Sequence, residues 1–115
     1  MSPTLYHNPR CSKSREALQL LVTRGLQPRV VLYLETPPGA AELKDLLKKL
    51  GLKPRDLLRD KEPIYAALGL GDVTLNDSAL IRAMAENPVL IERPIFVSGQ
   101  RAIIGRPPER VLEIV

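Results

Sequence analysis

One cysteine, one histidine, no tryptophan and a single phenylalanine stand in a chain of 115 residues. Each shortage removes a class of function. A lone cysteine closes no internal disulfide, so folding needs no oxidising compartment. One Cys and one His cannot by themselves complete a zinc or iron–sulfur site, and no metal is expected. Three tyrosines and one phenylalanine offer little surface on which bases could stack. The longest apolar runs are a few residues long, far short of a membrane span. The first residues also lack the basic start, long apolar stretch and small-residue cleavage site of a secretory signal, so the cytoplasm is the expected compartment. Seventeen Lys and Arg against thirteen Asp and Glu give a net charge of +4. Acids scattered among the cations interrupt any basic stripe, which suits a cleft for small anions better than a nucleic-acid footprint.

What is present suffices for one domain over residues 1–115 with a core of Leu, Ile, Val and Ala. TLYH, residues 4–7, reads as a first strand running into the turn signal NPR. From Ser14 the spacing of Ala17, Leu18, Leu21 and Val22 predicts a helix that ends at Gly25. VVLYL, residues 30–34, predicts a second strand, parallel to the first. Residues 40–87 read as a helical insertion: AAELKDLLKKL up to Gly51, two short pieces around KPRDLLRD and EPIYAALGLG, and a longer helix from Asn76 to Pro88. RPIFVSGQRAIIG predicts a hairpin with strands near Ile95–Val97 and Ala102–Ile104, and RPPERVLEIV a short closing helix.

The order β-α-β, helices, β-β-α is that of an α/β, thioredoxin-like mixed sheet flanked by helices, with a helical insertion between its two parts. Such folds set a reactive cysteine loop before the first helix and a cis-proline opposite it. Pro94, directly before the strand IFV, is the candidate.

The lone cysteine lies in HNPRCSKSR, residues 7–15, among Arg10, Lys13 and Arg15. A helix N-terminus presents unpaired N–H groups and the positive end of the macrodipole, and nearby cations add to it. The ionised sulfur is thereby favoured over the thiol, and an oxyanion would be drawn to the same place. The plainer alternative is a small buried hydrophobe with its charged neighbours in solvent. Against it, Cys11 stands in a polar setting outside the helix's apolar stripe. Spacing excludes two chemistries: the C-x5-R phosphatase loop fails because Ala17 is the sixth residue after Cys11, and C-x-x-C fails at Ser14. Any redox cycle therefore borrows a thiol from a partner. His7 either tunes the loop or makes a structural hydrogen bond, and Ser14 is a local hydrogen-bonding group.

With these residues assembled, the chain resembles the glutaredoxin-coupled arsenate reductase (ArsC) family along nearly its whole length. The likeness is carried by YHNPRCSKSR, VVLYLETPP, DLLRDKEPIY, NPVLIERPIFV and GRPPERVLEI. The resemblance implies a catalytic Cys11 that attacks arsenate, with Arg59, Arg93 and Arg106 holding and stabilising the oxyanion. It implies that His7, Ser14 and Arg15 belong to the substrate-binding loop. It further implies glutathione as co-substrate, glutaredoxin as protein partner and no tightly bound cofactor; a monomer is the expected state. One departure is SKSR after the cysteine, where established members carry glycine and then an uncharged residue in place of Ser12 and Lys13. The alternatives are a glutathione-linked thiol oxidoreductase acting on another substrate, and a non-enzymatic Spx-like interaction module. Spx-like regulators often use a C-x-x-C switch, which Ser14 removes here.

Overall fold

The structure is a computed structural model that describes residues 3–115. The chain divides into two compact units, one formed by residues up to Thr36 with Arg93–Val115 and the other by Pro37–Glu92.

In the first unit, strands β1 (Thr4–His7), β2 (Arg29–Leu32), β3 (Ile95–Ser98) and β4 (Arg101–Ile104) form a mixed sheet in the order β2-β1-β3-β4. β1 pairs in parallel with β2 and antiparallel with β3, and β3 pairs antiparallel with β4. Helix α1 (Ser12–Thr23) supplies the crossover that a parallel β1–β2 pair requires. Every residue of the inner strand β1 is buried. Leu5 registers with Phe96, and Phe96 with Ile103. Because side chains alternate along a strand, these three form one row on one face. That row joins Ala17 and Leu21 of α1, and Val111 and Ile114 of the closing segment, in a single buried cluster. The chain's one phenylalanine thus sits at the centre of the core, where full burial of such a side chain contributes about 1.5–3 kcal/mol.

Helix α1 ends in a Schellman turn, with Gly25 N–H donating to Val22 O and Leu26 N–H to Leu21 O. Gly25 takes φ +81°, which a side chain would resist. The turn folds Leu26 back against the core.

The second unit holds α2 (Ala40–Leu50), α3 (Pro54–Leu57), α4 (Pro63–Ala67) and α5 (Asp77–Glu86), followed by a 3-10 turn at Pro88–Leu90. The helical run expected over residues 40–87 falls within it. Helices α2 and α3 pack on α5, and Leu43, Leu46, Leu47 and Leu57 on the first two and Leu80 and Met84 on α5 are all buried. Asn76 caps α5 by accepting from Ala79 N–H at 2.9 Å. One guanidinium, that of Arg55, donates to Tyr65 Oη, Leu70 O and Asp72 O and thereby fastens the segment after α4.

Three local expectations need correction. β2 covers Arg29–Leu32 rather than residues 30–34, because Leu32 O accepts from both Glu35 N–H and Thr36 N–H and turns the chain at Tyr33. Helix α1 begins at Ser12, and Val22 lies outside its buried face, which is Ser14, Ala17 and Leu21. A buried serine, which hydropathy does not count as apolar, sets that face. The closing helix is a 3-10 helix over Pro108–Ile114, opened by an Arg110 N–H to Pro107 O bond at i, i+3 spacing.

Candidate active site

Strand β1 delivers His7 and then a loop of three residues to Cys11, which is the N-cap of α1. The loop is held by its own polar groups. Asn8 Oδ1 accepts from Arg10 N–H at 3.0 Å, and Asn8 O accepts from Cys11 N–H at 3.0 Å. Arg15 Nη1 reaches back and donates to Pro9 O at 2.9 Å. The cation expected among the substrate-binding residues thus braces the loop.

Beneath the loop, Ser14 is fully buried and Oγ lies 2.6 Å from His7 Nδ1. The same oxygen accepts from Asn8 N–H at 3.0 Å. Ser14 Oγ thus ties the ring at the end of β1 to the loop backbone through one buried atom. Burial, reinforced by the charge of Arg15, pushes the His7 pKa below its ordinary value and keeps the ring neutral.

The hairpin explains two of the arginines. Ile95 registers with Ile104, so continuing the pairing outward sets Pro94 against Gly105 and Arg93 against Arg106. Gly105 N–H donates to Pro94 O at 2.9 Å, and Arg106 Nε donates to Arg93 O at 2.8 Å. β1 runs antiparallel to β3 with Tyr6 opposite Ile95, so the loop that follows β1 emerges at the same end of the sheet as Arg93. The Arg93–Pro94 peptide bond is cis, and so is Arg106–Pro107.

Cys11 is partly exposed. Arg106 Nη2 donates to Cys11 Sγ at 3.7 Å. Partial burial alone pushes the thiol pKa up. Against it act the backbone N–H of Ser14, the Arg93 guanidinium through both a hydrogen bond and its charge, and the backbone N–H of Lys13. The net direction is downward, so this helix N-cap favours a thiolate at a lower pH than an ordinary cysteine.

His7, Cys11, Ser14, Arg15, Arg93, Pro94 and Arg106 all belong to the first unit. Arg59 belongs to the second, where Nε lies 3.3 Å from Glu62 Oε1 and Nη1 3.3 Å from Glu92 Oε1. Its backbone N–H donates to Leu90 O at 2.8 Å. Two positions escaped the sequence reading. Asn8 organises the loop, and an Asx residue just before Pro9 is its available signal. Gly105 is the other: a Cβ there would stand 2.9 Å from Pro94 Cγ and 3.0 Å from Val111 Cγ1. Among the described residues no group of three or more His, Cys, Asp or Glu side chains could hold a metal ion. No helix among them is long and apolar enough to cross a membrane.

The mixed sheet, the cysteine at the head of the first helix and the cis-proline before β3 define a thioredoxin-like α/β protein built around one thiol. The chain belongs to the ArsC family, whose model matches residues 6–114. It is 61% identical to the uncharacterized protein YfgD of Escherichia coli K12, over 96% of this chain and 94% of that one. It is 50% identical to a protein named arsenate reductase from Neisseria meningitidis serogroup A, over 93% and 92% of the two chains. Among solved structures, an arsenate reductase from Vibrio cholerae superposes with a TM-score of 0.98 at 56% identity, covering 100% of this chain and 98% of that one.

Proposed function

We propose that the protein reduces arsenate to arsenite with Cys11 as nucleophile, glutathione as co-substrate and glutaredoxin as the reductant that resets the enzyme. The observation that carries this reading is the approach of Arg106 Nη2 to Cys11 Sγ at 3.7 Å. It is supported by the action of Arg93 on the same sulfur. Two planar guanidiniums beside a thiolate favour the nucleophile and offer paired donors to a tetrahedral oxyanion. Relatives named arsenate reductase at 50% and 47% identity point the same way.

In the first step the Cys11 thiolate attacks arsenic, an S–As bond forms, and one oxygen leaves as water after protonation. Arg93 and Arg106 stabilise the charge on the remaining oxygens. Glutathione thiolate then attacks Cys11 Sγ. The S–S bond forms as the S–As bond breaks, and its electron pair stays on arsenic, which passes from As(V) to As(III) and leaves as arsenite. Two thiols have lost two electrons to arsenic, leaving Cys11 in a mixed disulfide with glutathione. The chain has no second cysteine, so glutaredoxin attacks the glutathione sulfur and restores the Cys11 thiolate. The cycle runs in a compartment that maintains reduced glutathione, which is the cytoplasm.

The test is arsenite formation by the purified protein with glutathione, glutaredoxin and an NADPH-coupled supply. Turnover that disappears in Cys11→Ser is expected. Absence of arsenite from the native protein under these conditions would overturn the assignment.

A further inference from the structure

Alongside the cysteine loop lies a cleft of about 250 Å³, lined by His7, Asn8 and Arg10 on one side and Leu32, Leu34 and Glu35 on the other. All of these belong to the first unit, and Cys11 is not among them. The cleft carries one cation and one anion at the surface, and neither Arg10 nor Glu35 forms an ion pair with another described residue. His7 is 95% buried by its relative exposure of 5%. Its Nδ1 is occupied by Ser14, which leaves Nε2 as the ring's other polar atom. The leucines and the Pro9 ring supply apolar wall.

Resting on the reductase reading above, we propose that this cleft seats the zwitterionic γ-glutamyl end of glutathione, with its ammonium at Glu35 and its carboxylate at Arg10. The chemistry selects against the other reactant. An unpaired carboxylate and two leucines are poor company for a multiply charged oxyanion, whereas an amino-acid head presents both charges and an aliphatic stem. The volume lies at the small end of ligand clefts and suits a peptide of a few residues rather than a docked helix. The loop that walls the cleft also carries the nucleophile, since Asn8 O accepts from Cys11 N–H and Arg10 immediately precedes it. A tripeptide anchored by its γ-glutamyl end can therefore extend its central cysteine along the loop to Cys11. On this arrangement Arg93 and Arg106 serve the oxyanion on one side of the sulfur, and the co-substrate approaches from the other.

The experiment uses S-methylglutathione, which cannot exchange disulfides, titrated into the isotopically labelled Cys11→Ser protein and followed by NMR. The expected result is saturable perturbation of the Asn8 side-chain amide, the Leu32 and Leu34 methyls and the Glu35 backbone. Glu35→Gln should weaken binding roughly tenfold, the loss of one charge-assisted contact. Glu86→Gln on the exposed face of α5 should leave binding unchanged. In turnover, Glu35→Gln should raise KM for glutathione by a similar factor while KM for arsenate stays. Perturbations confined to Arg93–Ser98 and Arg106, or an unchanged affinity in Glu35→Gln, would overturn the proposal. If either result came with glutathione-dependent arsenite formation, the cleft would be wrong and the reductase reading would stand. Cleft binding in a protein that forms no arsenite would support the site and overturn the reductase reading.

Discussion

Arg106 touches two parts of the chain at once: Nε donates to Arg93 O at 2.8 Å, and Nη2 donates to Cys11 Sγ at 3.7 Å. The first bond fixes the plane of the guanidinium, so the second is aimed before any substrate arrives. Such preorganisation is what an oxyanion site requires, because donors already in place need no rearrangement when charge develops.

Arg106→Lys is expected to lose most of this. An ammonium keeps the charge but cannot hold the Arg93 carbonyl and the sulfur with one rigid fork. A hydrogen bond to a charged group contributes about 1.5–3 kcal/mol, so kcat/KM for arsenate should fall roughly ten- to hundredfold with the fold intact. Steady-state kinetics beside a circular dichroism spectrum check both halves.

Ser14→Ala removes the partner of two buried groups, Asn8 N–H and His7 Nδ1. Leaving buried polar groups unsatisfied costs about 1–3 kcal/mol each. The urea midpoint should drop without a change in slope, and Cys11 alkylation should lose its sharp pH dependence as the loop loosens.

Burial of His7, with the charge of Arg15 beside it, also makes stability depend on pH. Burial lowers the folded-state pKa of His7, so below its ordinary value of about 6.5 the unfolded chain takes up a proton that the native state refuses. Stability is therefore fully present above that pH and declines as pH falls through the window down to the lowered native value. Urea titrations between pH 5 and pH 8 should show this slope in the native protein and a flatter one in His7→Gln. An identical slope in both would contradict the neutral, buried imidazole.

Gly105→Ala would place a methyl 2.9 Å from Pro94 Cγ and 3.0 Å from Val111 Cγ1. Neither neighbour is a flexible chain end, and overpacking of this kind costs about 1–3 kcal/mol. Because Gly105 directly precedes Arg106, the relief of that contact should move the guanidinium as well. Arsenate turnover is expected to fall further than thermal stability would explain, measured well below the midpoint of unfolding.

Much of this was legible in the residues themselves. Gly25 and Gly51 end α1 and α2 where the periodicity stops, Asn76 caps α5, and the turn around Gly99 joins β3 to β4. Position also made Cys11 conspicuous, since a polar loop before a helix is a poor home for a core thiol. What the residues did not disclose depends on contacts distant in sequence. Ser14 looks like a surface residue until strand β1 brings His7 against it. Tyr33 and Leu34 have the composition of a strand, yet two amide groups competing for Leu32 O turn the chain away. Gly105 is small because Pro94 and Val111 approach it, and neither is a sequence neighbour. Arg59 was singled out by resemblance alone, and its pairing with Glu62 and Glu92 could not be inferred from the helical periodicity around it.

The most direct test is the rate of iodoacetamide alkylation of Cys11 against pH, in the native protein, in Arg93→Ala and in Arg106→Ala. The native midpoint should lie below the ordinary thiol value of about 8.5 and move upward in each variant as a source of positive charge is lost. A native midpoint at the ordinary value, or one that neither arginine moves, would contradict the claim that this positive site holds the sulfur as a thiolate.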